Sequence, residues 1–150
     1  MTKTDPIIMI TDDDPDDRLL TREAFNENNI ANTLIFTEDG EDLMDYLFRR
    51  NKYEGLELPV PDIILLDLNM PKKDGREVLS ELKTHITFRK IPVVVLTTSK
   101  SQEDITATYD LGGNSFITKP VTYDSLVEAV RDMGNYWFKL ASLPTVSNAV

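Results

Sequence analysis

The feature that most constrains the fold is a set of short apolar runs that alternate with helical patterns. "IIMIT" (7–11), "DIILLD" (62–67) and "IPVVVLTT" (91–98) are nearly unbroken, and "TLIFT" (33–37) and "SFITKP" (115–120) are weaker versions. A strand with one face in water alternates apolar and polar residues, whereas an unbroken run reads as a strand covered on both faces. Amphipathic segments lie between the runs. Residues 15–28 carry Leu19, Leu20, Ala24 and Phe25, and residues 40–50 carry Leu43, Leu47 and Phe48. Residues 75–85 carry Val78, Leu79 and Leu82, and residues 103–111 carry Ile105, Thr108 and Leu111. Residues 123–140 carry Leu126, Val127, Val130, Met133 and Trp137. The order (βα)5 reads as an α/β parallel sheet with helices on both faces, joined by right-handed crossovers.

A chain of 150 residues with 41% hydrophobic content suits one globular domain with a real core. That domain is expected over 6–140, between an N-terminal tail at 1–5 and a C-terminal tail at 141–150. The absence of cysteine excludes disulfides and thiolate metal sites, and the single histidine, His85, argues against a zinc cluster. A net charge of −10 disfavours duplex DNA and anionic membranes as partners. "MTKTDP" is not followed by a long apolar segment, so neither a signal peptide nor a membrane span is expected. The cytoplasm is the expected compartment.

In open parallel sheets, ligands sit outside the carboxyl ends of the strands. The first run ends at Asp12 and Asp13, the third at Asp67, the fourth at Thr97 and Thr98, and the fifth at Lys119 and Pro120. Only the second ends without an obviously chemical group. Asp67 closes an apolar run, so its ionised carboxylate needs partners, and the other strand ends supply them.

"TDDDPDDR" (11–18) holds more carboxylates than a helix start requires. Asp14 reads as the cap, Pro15 as the first helical position, and Asp16 and Asp17 as partners of the helix dipole. That reading leaves out Asp12 and Asp13. Together with Asp67 they form three carboxylates in one cleft, which repel one another without a cation. Oxygen ligands alone favour a hard ion such as Mg²⁺. Beside such an ion Asp67 is either a ligand or a nucleophile toward phosphorus. Lys119 and the Thr97 hydroxyl would then meet phosphoryl oxygens. Their ordinary readings are a solvated strand-end lysine and a turn before a helix, where Ser101 and Asp104 are similar to a capping box.

These residues together resemble the receiver domain of two-component response regulators. The resemblance rests on "DD" at 12–13, "DLNMPKKDG" at 67–75, "TTS" at 97–99 and "KP" at 119–120, in that order. It implies a doubly wound, flavodoxin-like fold with strand order 2-1-3-4-5. It implies that Asp67 takes a phosphoryl group from the phosphohistidine of a sensor histidine kinase. Asp12 and Asp13 would hold Mg²⁺, with Asp13 the direct ligand, and Asn69 would lend its backbone carbonyl. Thr97 would be the switch hydroxyl, Lys119 the conserved-role lysine and Phe116 the aromatic that follows the switch. Pro71 and Gly75 would shape the turn after Asp67, and the Lys119–Pro120 bond would be cis. Thr98 departs from the alanine that many members carry. The chain is expected to be no enzyme beyond its own phosphorylation and dephosphorylation, and to signal to a downstream protein by contact, without an output domain.

Within the family, "DLNMPKKDGREVLSELK", "IPVVVLTTS" and "NKYEGLELPVPD" are similar to single-domain regulators paired with bacterial phytochromes. Those carry a longer loop before the third strand, here about 51–61. The main alternative is a phosphotransfer or phosphatase-like enzyme of related fold. It wants a second acid two residues beyond Asp67, where Asn69 stands. A flavodoxin-like binding module wants a phosphate-cradling loop where "DDDPDD" stands. Finally, Tyr136, Trp137 and Phe138 are consecutive and cannot share one buried stripe of a helix. At least one is expected at the protein's edge, where aromatics favour interfaces, unless the C-terminal tail covers it. With the family resemblance this points to a homodimer or other partner at the face of the fourth helix, fifth strand and fifth helix.

Overall fold

Across residues 5–144, which the computed structural model describes, five strands alternate with five helices. They are β1 (Ile8–Thr11), α1 (Pro15–Glu27), β2 (Leu34–Thr37), α2 (Gly40–Phe48) and β3 (Ile63–Leu66), followed by α3 (Gly75–Thr84), β4 (Val93–Thr97), α4 (Gln102–Asp110), β5 (Ser115–Thr118) and α5 (Tyr123–Met133). All neighbouring strands are parallel, in the order β2-β1-β3-β4-β5. This is the expected flavodoxin-like arrangement, and its strand order reverses between β1 and β3.

The unbroken apolar runs follow from the two layers of helices. On one face Ile64 and Leu66 of β3 join Met9, Leu43, Leu47, Val78, Leu79 and Leu82. On the other Ile63 and Leu65 join Ile8, Ile10, Phe25, Val94, Val130 and Met133. Successive residues of one strand thus enter opposite cores, so neither parity can be polar.

Each helix is capped close to a strand's carboxyl end. The side chains of Asp14, Asp39, Asp74, Ser101 and Thr122 accept from backbone N–H groups of the first turns of α1 to α5. Loss of such a cap typically costs about 1 kcal/mol.

Three expectations need correction. Leu19 and Leu20 do not face the core: they are 54% and 39% exposed, and α1 buries Thr21, Ala24 and Phe25 instead. Phe25 sets that rotation because it is the largest side chain α1 inserts into the second core. The Lys119–Pro120 bond is trans, like every peptide bond among the described residues; trans is the lower isomer for a proline bond by about 0.5–1 kcal/mol. Helix α5 does not run regularly to residue 140. It widens to a π-helix over Gly134–Leu140. In that stretch Trp137 and Phe138 both pack against the second core, while Tyr136 remains 52% exposed. Leu143 packs there too, so the first residues of the expected tail turn back onto the body. Residues 1–4 and 145–150, most of the two expected tails, lie outside the described residues.

The long connection before β3 is strapped to α2. Arg49, in the left-handed region at φ 56°, donates to the carbonyls of Tyr46 and Leu58. The Tyr46 hydroxyl donates to Pro59 O at 2.7 Å, and that of Tyr53 to Asp42 at 2.7 Å. No helix among the described residues is long and apolar enough to cross a membrane.

Candidate functional site

Strand register explains how carboxylates 55 positions apart meet. Thr11 at the end of β1 lies beside Leu66 at the end of β3, and Asp67 N–H donates to Thr11 O at 3.1 Å. The next residue on each strand is therefore Asp12 beside Asp67. Asp12 is buried, Asp67 is 8% exposed, and Asp13 is exposed. Carboxylate oxygens of Asp12, Asp13 and Asp67 all lie within 4.8 Å of one another. Asn69 N–H donates to Asp67 Oδ1 at 3.3 Å. Gly75 lets α3 close onto the same turn: its N–H donates to Leu68 O at 2.9 Å, and a Cβ there would lie 2.7 Å from Leu68 Cα.

Lys119 reaches this group from β5, its backbone N–H bonding to Thr97 O at 2.7 Å. Its Nζ donates to Asp12 Oδ2 at 2.6 Å, Asp17 Oδ2 at 3.0 Å and Asp67 Oδ2 at 3.4 Å. Three donors thus meet three carboxylates. Burial raises the Asp12 carboxyl above the ordinary carboxylate range; bonds from Lys119 and the Asp14 N–H offset this only in part, and the charge of Asp67 adds to the rise. Burial also disfavours the Lys119 ammonium, yet Asp12, Asp67 and Asp17 outweigh it and raise Lys119 above the ordinary lysine value. The shifts have different origins: burial lifts the Asp12 carboxyl, whereas the surrounding carboxylates lift the Lys119 ammonium.

The donor set fits a hard divalent cation. It is all oxygen, carries excess negative charge, and has one member, Asp13, open to water. A cation there would relieve the repulsion that a single ammonium leaves.

The other expected residues sit around this cluster. Thr97 is fully buried at the end of β4, paired with Thr118, and its Oγ1 accepts from Ser99 N–H at 3.5 Å. Thr98 is exposed. Phe116 is half-buried beside Val95, and its N–H donates to the Tyr109 hydroxyl at 3.2 Å.

Two features escaped the sequence reading. Asp17 reads from the sequence as a partner of the helix dipole, but its carboxylate also holds Lys119. Nothing local signals this, because the partner lies 102 residues away. The second is a bracket between loops. Arg76 of α3 bonds Asp74 at 3.0 Å and Asp104 of α4 at 2.7 Å, while Ser99 Oγ donates to the other Asp104 oxygen at 2.6 Å. Ser101 does cap Asp104 N–H, as expected, but the Asp104 carboxylate is taken by Ser99 and Arg76.

The model of the response regulator receiver domain matches residues 8–131. The chain belongs to that family. It is 39% identical over 138 residues to the response regulator Rcp1 of Synechocystis, covering 92% of each chain. The crystal structure of the Mn²⁺-bound form of Rcp1 matches with a TM-score of 0.85 and 38% identity, over 93% of this chain and 99% of that one. The phosphorylated cyanobacterial phytochrome response regulator RcpA matches with a TM-score of 0.87 and 39% identity, over 95% and 100% of the two chains. A response regulator in red light signalling of R. palustris gives 0.87 and 39%, over 93% and 99%. This response regulator is therefore a phosphoacceptor switch of histidine-to-aspartate signalling, closely related to Rcp1 and RcpA. Its catalysis is confined to its own phosphorylation and dephosphorylation.

Proposed function

We propose that Asp67 is the phosphoacceptor, that Mg²⁺ is held by Asp12, Asp13, Asp67 and the Asn69 backbone carbonyl, and that Thr97 and Phe116 carry the switch. The observation that supports this most is the convergence of Asp12, Asp13 and Lys119 on Asp67. An Asp67 carboxylate oxygen attacks phosphorus of the phosphohistidine. The P–N bond breaks, and its electron pair stays on the imidazole nitrogen. Bound Mg²⁺ supplies neutralisation of the charge shared by the phosphoryl oxygens and the carboxylates. Lys119 swings from Asp12 and Asp67 to one phosphoryl oxygen. The Thr97 hydroxyl gives up Ser99 N–H and turns to another, and Phe116 follows.

The domain spans 6–140 and works in the cytoplasm. Its donor is a sensor histidine kinase, and kinship with RcpA, a phytochrome response regulator, favours a bacterial phytochrome. The downstream partner is a protein that reads the face of α4, β5 and α5, and the same face serves a homodimer. Half-exposed Tyr109 and Tyr136 support that surface.

Incubation with acetyl phosphate and Mg²⁺, followed by chemical trapping and mass spectrometry, should place the acyl phosphate on Asp67. Asp67→Asn should abolish the label; normal labelling of that variant, or a label mainly on Asp12 or Asp13, overturns the assignment. Sedimentation over a concentration series, with and without beryllofluoride, tests the dimer, which a monomer throughout would refute.

A further inference from the structure

Lys119 has two duties in the proposed reaction that conflict. Its ammonium bonds Asp12 and Asp67, both members of the carboxylate trio, so before a cation arrives it occupies part of the negative charge that the cation needs. It must leave them without leaving the site, because a phosphoryl oxygen is its next partner. Asp17 is the one carboxylate of the four around this centre that bonds Lys119 without belonging to the trio. It projects from the first turn of α1, at the mouth of the site, with a side chain 37% exposed against 7% for Asp12.

We propose that Asp17 is a positioning residue that anchors Lys119 while its bonds to Asp12 and Asp67 are exchanged for a divalent cation and a phosphoryl oxygen. The inference rests on the proposed roles of the trio and Lys119. A three-donor ammonium with one acceptor held constant pivots about that bond and keeps the others free to change partners. Without Asp17 the ammonium falls back wholly onto Asp12 and Asp67, and the cation must displace it from both. Asp17 thus favours metal binding through Lys119, besides contributing its own charge.

A thermodynamic cycle separates the two contributions. Mg²⁺ affinity is measured calorimetrically for the unsubstituted protein, Asp17→Asn, Lys119→Met and the double variant. Asp16→Asn is the charge control: it lies on the same turn, is exposed, and is not among the partners of Lys119. Asp17→Asn should weaken Mg²⁺ binding about tenfold, and Asp16→Asn about twofold or less, as expected for an exposed, screened charge. In the Lys119→Met background the Asp17→Asn effect should shrink to that of Asp16→Asn. The Lys119 side-chain ammonium, followed by nitrogen-15 NMR, gives a readout that needs no lysine variant. On addition of Mg²⁺ its slowly exchanging signal should persist in the unsubstituted protein and broaden in Asp17→Asn. Equal losses for Asp17→Asn and Asp16→Asn, an undiminished loss without Lys119, or an unchanged ammonium signal would overturn the anchor. Absence of Mg²⁺ binding by the unsubstituted protein overturns the metal reading, and the anchor with it.

Discussion

Two charged clusters stand at the carboxyl edge of the same sheet, and they are built on opposite principles. In one, Asp12, Asp13, Asp17 and Asp67 surround the single ammonium of Lys119. In the other, Asp74 and Asp104 share the guanidinium of Arg76, and Ser99 completes the Asp104 carboxylate. The first cluster is left with unrelieved negative charge, and the Asp12 carboxyl rises above its ordinary range because burial and Asp67 outweigh Lys119. The second is satisfied: Ser99 and then Arg76 hold Asp104 below the ordinary range. The difference teaches which acids are poised for chemistry. A carboxylate whose partners are complete is a brace, and one whose neighbours leave it short of positive charge is a place for a cation.

The comparison breaks most visibly when each cation is removed. Lys119→Met leaves buried carboxylates unpaired and should cost about 3 kcal/mol of stability at pH 7, the range for removing one partner of a buried pair. Saturating Mg²⁺ should restore more stability to this variant than it adds to the unsubstituted protein, because it replaces the lost charge. Urea denaturation with and without the ion checks both statements. An equal Mg²⁺ effect in the two proteins would mean that the clefts are equally neutral, contrary to the charge count.

Metal affinity sharpens the contrast at the next level. Asp13→Asn removes an exposed member of the trio and should weaken Mg²⁺ binding about tenfold, equivalent to about 1.4 kcal/mol. Arg76→Met, in the satisfied cluster, should change it by less than about twofold. The same Arg76→Met protein should lose about 1 kcal/mol of stability, because the bracket is partly exposed and its charges are screened. A cost near that of Lys119→Met would erase the distinction between brace and binding site.

The smallest expected effects are opposite in sign with pH, in metal-free buffer. The Asp12 pKa is raised in the folded state, so its contribution to stability is fully present below the unfolded carboxylate value and is lost as pH rises through the folded one. The Asp104 pKa is depressed, so its contribution is present above the unfolded value and is lost as pH falls through the folded one. Relative to the unsubstituted protein, Asp12→Asn should therefore look more stable at pH 7 than at pH 4, and Asp104→Asn less stable. Denaturation curves at both pH values would show parallel trends if the two carboxyls were equivalent.

The strands and most of the proposed site were legible because their signals are local. Ile63 to Leu66 must be apolar when alternate side chains enter two cores. Asp14 and Ser101 announce helix starts through bonds to groups two and three residues away. Leu19 and Leu20 misled because hydrophobicity alone does not say which way a helix is rolled. Phe25 decided that by its fit to the second core. The π-helical turn at Gly134–Leu140 was equally hidden, since it depends on Trp137 and Phe138 finding the same core.

By itself the chain's order of residues determined a parallel (βα)5 sheet and placed acids, a threonine and a lysine at its strand ends. Those are consequences of periodicity, and periodicity is written in neighbours. Only the tertiary structure decided that Asp17 serves Lys119 as well as the helix dipole, and that Asp104 is spent on Arg76 and Ser99. The physical reason is range: a carboxylate's charge state and partners are set by what lies within a few ångströms of it, and folding brings that neighbourhood from as far as 107 residues away.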